Sequence, residues 1–531
     1  MLKKIKKVVS IALSVALLAA ATVALTSCGS DKQASGSKTI NIRLMNEPKN
    51  IDRILNAYYE KVKDDPVLKN IKVNISYVSG TDYKDKLSMA ITAQEDYDLM
   101  FVGAWQGLNN YASEGSFKDV SSYFNNDDYP GLKAAFSEDF INASKMGDAL
   151  YSIPLSEGYE DLRGLTYRED LRVKYNVPEI TNDETMIQYL QAIKDNETDI
   201  YPWIMGNEGF MFIDSPDFKA PHDNIFPIAL SGATTTTGAV FYVALDPTAT
   251  KVIDAVTMGD SVEEHFSKLP EGYNTDFITE SYIKKLRWVP YLNDDRISSG
   301  VDGRKSAVGY SPISGWAGSE NTTKRDEGGE LGFYVTEEAQ RNMEEGAIVS
   351  EMKCNNFLCV PSWSKKTDEV MAFLNWMFSS QENHDLFAYG IEGEDWEAIG
   401  DDGFRLIERS ETDTYSMPTY SFTLNPTYIR YNETILNNPK IKAYFEYKDS
   451  DKPYVKSPLA GFVFDTSNLK TEVASVQVLA ESIKPNMGIY GDDTANVIAQ
   501  YNSDAKKVGL DTLRAELIKQ VQEFLDNKNA Q

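Results

Sequence analysis

Histidine, cysteine and basic side chains are scarce in this sequence of 531 residues. It holds three His and three Cys, and its 53 Lys and Arg side chains stand against 80 Asp and Glu side chains, which gives a formal net charge of −27. This excess of negative charge repels nucleic acid and anionic lipid surfaces. So few His and Cys also argue against a multi-histidine metal site and against a disulfide framework.

Enzyme motifs are missing as well. The sequence contains no G-x-S-x-G, no H-E-x-x-H and no phosphate-binding loop. Its histidines, His222, His265 and His384, are far apart and lack the spacing of metal ligands. The carboxylates are too numerous for their spacing to single out a glycosidase pair. We therefore expect no catalytic residue, no metal and no cofactor.

The first 27 residues have the pattern of a signal peptide. Four Lys precede a long apolar run, which ends at Leu25-Thr26-Ser27-Cys28. These four residues resemble a bacterial lipobox, and the resemblance implies cleavage before Cys28 and a diacylglycerol on its thiol. Residues 28–38 are small and polar and read as a flexible tether. A plain secretory signal and an uncleaved anchor helix are the alternatives.

A parallel α/β pattern begins after the tether. Strands are predicted at 40–44, 71–77 and 99–102, and Asn50 and Asp82 can cap the helices between them. Ligands of open α/β sheets bind beyond the carboxyl ends of the strands, so the loops at 45–47, 79–81 and 103–105 should share one edge. Trp105 is placed there to form a platform, although it could instead pack under its own loop.

The rest of the chain continues the alternation of strands and helices. Further strands are predicted at 241–245, 306–310 and 356–361, and helices at 182–195, from Thr367 to near Gly390, at 469–483 and after Asp511. Residues 395–460 read as mostly irregular, with short helices. Cys354 and Cys359 would point to opposite faces of one strand, which disfavours a disulfide between them.

Several segments together resemble a known family. Besides the lipobox, they are residues 97–103 (YDLMFVG), 151–154 (YSIP), 167–171 (YREDL), 305–309 (KSAVG), 360–393 and 461–465 (GFVFD). Their order resembles that of the extracellular solute-binding proteins of ABC transporters, in the large family whose best-known member binds maltose. The last two segments are similar to the LipO-like subfamily.

The resemblance implies an α/β, two-lobed periplasmic-binding-protein-like fold of type II with a hinge, plus a helical C-terminal extension. We expect the N-terminal lobe at 39–153 and 351–389, the C-terminal lobe at 154–350 and 390–460, and the LipO-like helical region at 461–531. The implied function is a receptor that captures an oligosaccharide between closing lobes and delivers it to ABC permease subunits. It would act as a monomer, anchored by lipid on the outer face of the cytoplasmic membrane of a Gram-positive bacterium.

A sugar site needs flat aromatic faces for the C–H faces of the rings, and carboxylates, amides or Arg for the hydroxyls. Residues of these types near strand ends and near the expected lobe crossings are the candidates: Trp105, Trp316, Trp203, Asn46, Glu47, Glu157, Tyr159, Arg168, Glu392 and Trp396. Two alternatives stay open. One is a peptide or other polar-solute receptor of the same fold, and the other is a surface-anchored glycoside hydrolase.

Overall fold

The structure is a computed structural model. It describes residues 38–155, 161–204, 224–230, 239–292, 305–350, 355–410, 412–417, 422, 426–483 and 493–529. Glu157, Tyr159, Cys28 and Cys354 lie outside these ranges. Within the described part, no helix is long and apolar enough to cross a membrane.

The first lobe is built on a five-stranded sheet with the order β2-β1-β3-β13-β4. Its strands are β1 (Lys38–Met45), β2 (Ile71–Val78), β3 (Leu99–Gly103), β4 (Ile153–Pro154) and β13 (Asn356–Cys359). The first three are parallel, whereas β13 is antiparallel to both β3 and β4. All five residues of β3 are buried, as expected of a central strand with both faces covered.

Eight helices belong to the first lobe by sequence position. They are α1 (Ile51–Lys61), α2 (Gly80–Ala93), α3 (Leu108–Ser113), α4 (Ser121–Phe124), α5 (Pro130–Ala135), α6 (Glu138–Ala143), α13 (Thr367–Phe378) and α14 (Gln381–Ala388). Helix α1 starts where Asn50 predicted it, but Asn50 does not cap it, because its backbone is left-handed and its side chain bonds elsewhere. The predicted helix from Thr367 to Gly390 is in fact the two helices α13 and α14.

The second lobe contains a four-stranded sheet with the order β11-β5-β10-β6. Its strands are β5 (Arg163–Arg168), β6 (Tyr201–Trp203), β10 (Ser306–Pro312) and β11 (Leu331–Val335). Strand β5 runs antiparallel to both of its neighbours, whereas β10 and β6 are parallel, so this sheet is mixed. A second sheet, β7-β8-β9, comprises Ile225–Ala229, Val240–Leu245 and Val252–Val256, and is antiparallel.

The helices of the second lobe fall between and after these strands. They are α7 (Glu169–Lys174), α8 (Asp183–Asn196), α9 (Phe277–Lys285), α10 (Val289–Leu292), α11 (Trp316–Glu327), α12 (Glu338–Arg341), α15 (Glu433–Leu436) and α16 (Pro439–Lys448). The parallel pair β12 (Ile348–Ser350) and β17 (Tyr454–Lys456) lies where the chain leaves this lobe for β13. The chain enters the lobe between Leu155, beside β13, and the start of β5.

The C-terminal helices complete the core of the second lobe. They are α17 (Lys470–Ile483), α18 (Thr494–Lys507) and α19 (Leu510–Asn529), and their apolar residues share one buried cluster with β8 and β9. Arg514 on α19 forms a buried ion pair with Asp260, at 2.7 and 2.8 Å. Asp260 also accepts hydrogen bonds from Asn502 and from the backbone of Thr257. The described helices of the expected C-terminal helical region therefore pack into the core of this lobe.

The described part of residues 390–432 also departs from the expected boundaries. Where irregular chain was expected, it includes a three-stranded sheet of β14 (Trp396–Ile399), β15 (Gly403–Leu406) and β16 (Tyr431–Asn432). Tyr415 and Phe422 are buried in the core of the first lobe, not the second. The prediction failed because two short antiparallel strands joined by a turn leave little hydrophobic periodicity in the sequence.

Candidate functional site

The loops that follow the three parallel strands of the first lobe meet at one edge of its sheet. Met45, at the end of β1, pairs with Val78 at the end of β2, and Gly103 at the end of β3 pairs with Asn356 at the start of β13. Because β13 is antiparallel, its first residue lies at the same edge as the last residues of the other strands. This edge adjoins Leu155, from which the chain crosses to the second lobe.

Asn46 holds two of these loops together. Its backbone N–H donates to the Val78 carbonyl and its side-chain oxygen accepts from the Gly80 N–H, both at 2.8 Å. It adopts a left-handed backbone, which Asn tolerates better than most residues. The side chain is exposed, and its NH₂ group points to no partner among the described residues. Asn46 is thus a fixed amide with donors left for a ligand.

Glu47 lies beside Asn46 and is exposed. A hydrogen bond from the Tyr77 phenol to Glu47 raises the pKa of that phenol. The pair presents a carboxylate and a half-exposed aromatic ring at the same rim. Both groups suit a ligand that carries hydroxyls and C–H faces.

Trp105 lies in a short 3-10 turn, Ala104–Gln106, directly after β3. Its indole N–H donates to Asn356 Oδ1 at 2.9 Å, and the ring covers Gly103 so closely that any side chain there would collide with it. Gln106 secures the turn by accepting from the Gly103 N–H at 2.9 Å. The side chain nevertheless remains 40% exposed. A large aromatic surface held rigidly in solvent is the geometry of a stacking platform.

The edge of the second lobe's mixed sheet at which the chain enters contains polar groups that the sequence patterns did not indicate. Residues 161–163 enter β5 there, opposite the end of β10. The Asp161 Oδ2 atom accepts weakly from the Ser314 N–H at 3.4 Å, whereas Oδ1 is buried without a hydrogen-bond partner among the described residues. The hydroxyl of Ser311 is also buried and has no partner in the described part of the chain. Unpaired buried polar atoms are costly, so these two mark a place for a ligand hydroxyl or a water molecule.

Trp316 and Trp203 do not reach the cleft surface, contrary to the prediction. Both side chains are 1% exposed. Trp316 begins α11 and packs beneath the sheet with Ile313 and Phe333. Trp203 meets Trp288 edge-on in the other core of the lobe, with ring centroids 6.2 Å apart. Trp105 is exposed where it follows β3, whereas the helix that begins at Trp316 turns that ring inward and Trp203 lies in the buried strand β6.

Arg168, a predicted ligand-binding residue, does not lie at the edge of the sheet where the chain enters the lobe. It ends β5, whereas the chain enters the lobe at the beginning of that strand, so Arg168 lies at the edge away from the crossing. Its guanidinium donates to both oxygens of Asp170 at 2.8 Å and also to Glu327, and the residue is 7% exposed. Its donors are therefore occupied by the lobe itself. Arg168 is a structural residue.

Trp396 and Glu392 lie next to each other near Gly390. Trp396 is buried, its indole N–H donates to the Gly390 carbonyl at 3.0 Å, and Arg430 covers its ring. Glu392 is exposed, and its backbone pairs with that of Trp396 in an isolated parallel β-bridge. Of the two, only Glu392 is free to meet a ligand in this arrangement.

One cavity of about 380 Å³ lies along the second lobe's mixed sheet, against α11. Its lining includes Arg168 and Glu327, which satisfy each other, and Thr166, whose hydroxyl donates to the Gly309 carbonyl. These polar groups are already paired, so the cavity offers a ligand little specific recognition. Among the described residues, no cluster of His, Cys, Asp or Glu is arranged to hold a metal ion.

Comparison with protein families gives two matches along the chain. Residues 50–384 match the model described as bacterial extracellular solute-binding protein, and this is well over half of the chain. Residues 458–526 match a domain of unknown function. This second range corresponds to the C-terminal helices that complete the second lobe.

Similar proteins span the whole chain. One relative is a protein of Streptococcus pneumoniae serotype 4 that is described as a carbohydrate ABC transporter substrate-binding protein. It is 23% identical over an alignment of 546 residues, which covers 99% of this chain and 100% of the relative. The crystal structure of an N-glycan transport solute-binding protein (NgtS) of S. pneumoniae is 20% identical, has a TM-score of 0.67, and covers 93% of this chain and 100% of its own.

Two sugar complexes of NgtS also match. The complex with Man5GlcNAc gives a TM-score of 0.58 at 20% identity, over 93% of this chain and 99% of that chain. The complex with Man1GlcNAc gives a TM-score of 0.60 at 19% identity, over 92% of this chain and 99% of that chain. At 19–20% identity these structures show only that the fold is shared. They confirm the predicted two-lobed α/β architecture.

Proposed function

The chain belongs to the bacterial extracellular solute-binding proteins, and from this premise we propose that it is an oligosaccharide receptor of an ABC importer. The ligand binds between the carboxyl-end loops of the first lobe's sheet and the 161–163 edge of the second lobe. Closure of the lobes around it gives the permease a shape to recognise. The protein acts as a monomeric receptor and carries out no catalysis.

The observation that carries the proposal is Trp105. A half-exposed indole whose N–H is already bonded to Asn356 can offer its ring face but no further donor, which suits the C–H face of a pyranose. Asn46 and Glu47 stand nearby for hydroxyls from the first lobe, and Asp161 and Ser311 for hydroxyls from the second. The names of the relatives, a carbohydrate receptor and an N-glycan receptor, support the same ligand class.

The alternatives are separated by a binding screen. We expect isothermal titration calorimetry of the mature protein to detect neutral oligosaccharides such as Man5GlcNAc, with no heat from peptides of similar mass. A ligand that binds only the folded protein should also raise its melting temperature. Binding of peptides without binding of any saccharide would instead identify a peptide receptor.

Mass spectrometry of the bound sugar tests for catalysis. After prolonged incubation, the receptor proposal requires that the oligosaccharide be recovered intact. Shortened products from purified protein would identify a glycoside hydrolase. The sugar incubated without protein is the control for spontaneous breakdown.

We further propose that Cys28 carries the lipid anchor on the outer face of the cytoplasmic membrane of a Gram-positive bacterium. The support is the lipobox at 25–28 behind a basic and apolar leader. Metabolic labelling with a fatty-acid analogue should mark the wild-type protein, and Cys28→Ser should abolish the label and release protein into the medium. Equal labelling of both would contradict a lipid on this thiol.

A further inference from the structure

Asn356 lies next to the two crossings of the chain that precede β5 and β13. It is the first residue of β13, which begins after the chain has returned from the second lobe. Its backbone carbonyl accepts from the Leu155 N–H at 3.0 Å, and Leu155 is the last described residue before the chain leaves for that lobe. The backbone of Asn356 is therefore bonded to the segment from which the chain departs.

The same stretch of backbone is bonded to the strand and turn that carry Trp105. Asn356 pairs with Gly103 in the antiparallel ladder of β13 and β3. One residue earlier, the Asn355 carbonyl accepts from the Ala104 N–H at 2.8 Å. Asn356 is also only 6% exposed. Because neighbouring segments fix its backbone on both sides, its side-chain oxygen is an acceptor with a set position, to which the indole ring must adjust.

Gly103 provides the space that the ring needs to reach this acceptor. Its backbone torsions, φ −82° and ψ 150°, lie in the extended region that is open to any residue, so the backbone conformation does not call for glycine. A Cβ atom at this position would instead lie 2.4 Å from Trp105 Nε1, which is too close. The missing side chain lets the indole N–H approach Asn356 Oδ1 to 2.9 Å.

The hydrogen bond to Asn356 fixes how the Trp105 ring is turned. The indole N–H is the only polar group of this side chain, so one acceptor in a set position selects one orientation of the ring. A ring without that acceptor would have to be ordered when a ligand stacks on it, and ordering a side chain at a binding site lowers affinity. Asn356 thus removes a cost of binding without needing to touch the ligand.

We infer that Asn356 is a positioning residue for ligand binding, which acts through Trp105 by holding its ring in one orientation before the ligand arrives. The inference rests on the proposed function and deepens it, because it assigns the orientation of the platform to a residue on a different strand. The bare backbone of Gly103 is the second part of the same arrangement.

Calorimetric titration with Man5GlcNAc of the wild type, Asn356→Ala, Asn356→Asp, Trp105→Phe and the double variant Trp105→Phe/Asn356→Ala tests the inference. Asn356→Asp keeps an oxygen acceptor, whereas Trp105→Phe keeps an aromatic face and has no N–H to donate. Asn375→Ala is the matched control. The Asn375 side-chain oxygen accepts from the Gly131 N–H at 2.8 Å in the same lobe, but it holds α5 and not the turn of Trp105.

We expect Asn356→Ala to weaken binding about fivefold, the equivalent of ordering one side chain, and Asn356→Asp to bind like the wild type. In the Trp105→Phe protein, Asn356→Ala should cause no further loss, because the bond through which it acts is already absent. A residue that only supported the fold would lower affinity by the same factor in both backgrounds. The Asn375 control should keep the affinity of the wild type.

Gly103→Ala tests the same arrangement from the other side. It displaces the ring by collision and leaves Asn356 in place, so it should also weaken binding about fivefold. Combined with Asn356→Ala, it should weaken binding no further, since both variants release the same ring. Thermal melts of each variant establish that the protein titrated is folded.

Two kinds of result would overturn the inference and leave the proposed function intact. One is wild-type affinity in both Asn356→Ala and Gly103→Ala. The other is a loss that Asn356→Asp does not restore, or that is equally large with and without the indole of Trp105. If the wild type does not bind the sugar, the proposed function in this form fails and the inference fails with it.

Discussion

The sheet edges of the two lobes that adjoin the chain crossing are built differently. In the first lobe, β1, β2 and β3 are parallel, so their carboxyl-end loops meet and display Asn46, Glu47 and Trp105 together. In the second lobe, β5 is antiparallel to its neighbours, so the cleft edge holds its beginning and not its end. The lesson is that strand direction, more than residue type, decides which polar side chains can meet a ligand.

The tryptophans of the two lobes express the same difference. Trp105 is held by Asn356 and stays exposed, whereas Trp316 is buried and its indole N–H has no hydrogen-bond partner in the part of the chain that the structure describes. One ring is thus available for binding and the other for stability. Each of the following variants separates these roles, beginning with the largest effect.

Trp316→Ala should lower the free energy of unfolding by about 4 kcal/mol, because it leaves a large cavity in the core beneath α11. Urea denaturation followed by circular dichroism measures this loss. Trp105→Ala should cost about 2 kcal/mol in the same experiment, less than Trp316→Ala because the residue is already 40% exposed. If both variants lost the same free energy of unfolding, the two tryptophans would not differ in their contribution to stability.

Arg514→Met should destabilise the second lobe by about 3 kcal/mol, because it strips the charge partner from buried Asp260. Lys519→Met removes an exposed pair with Glu516 on the same helix and should cost less than about 0.5 kcal/mol. Hydrogen exchange should show the loss of protection in β8, β9 and the C-terminal helices, with the first lobe unaffected. A uniform loss of hydrogen-exchange protection over both lobes would contradict a local role of the Arg514–Asp260 ion pair.

Trp105→Ala should weaken oligosaccharide binding by about 30-fold, or about 2 kcal/mol, because the stacking surface is lost. Trp363→Phe is the matched control, since Trp363 belongs to the same lobe and donates to the Glu95 carbonyl, past the far end of β13. Calorimetry with Man5GlcNAc measures both. An unchanged affinity of the Trp105 variant would remove the platform from the site.

The smallest effect concerns pH. Burial raises the pKa of Asp276, the cap of α9, from 3.8 to about 6, and the nearby Asp260 contributes to the rise. A raised carboxyl pKa means that the folded state holds the proton more tightly than the unfolded one, so stability falls as pH rises from about 4 to about 6. Above that range the cost of the ionised group is constant.

Asp276→Asn should remove this loss, keep an oxygen acceptor for the Thr279 N–H, and gain about 1 kcal/mol at pH 7 but nothing near pH 3. Urea midpoints of both proteins over this pH range provide the measurement. Asp246→Asn is a control of opposite sign, because hydrogen bonds from Thr248, Thr250 and Lys251 lower the Asp246 pKa to about 2. If Asp276→Asn gained the same stability at every pH, ionisation of Asp276 would not be the cause.

Sequence patterns foresaw the parts of the fold that depend on local periodicity. The continuous apolar run of β3, the start of α1 after Asn50 and the strand β8 all lie where the sequence indicated. The shared edge of the first lobe followed from strand direction alone, and with it Trp105. These features need no knowledge of distant contacts.

The remainder depended on contacts between distant residues. The amide of Asn50 bonds to residues more than 360 positions away, Arg168 is neutralised by Glu327, and the C-terminal helices share a core with β8 and β9. Asp161 and Ser311 became candidates only because their atoms are buried without partners. No spacing in the sequence encodes such pairings, which is why Trp316, Trp203 and Arg168 were assigned to the site.

Hydrogen–deuterium exchange with and without saturating Man5GlcNAc tests the central claim most directly, because it maps the ligand onto both edges at once. We expect new protection at residues 46–50, 79–81 and 104–106 of the first lobe and at 161–163 and 311–314 of the second. Residues 166–170 and α11 beside the other cavity should exchange as before. Protection confined to Arg168 and α11, with none around Trp105, would contradict the account.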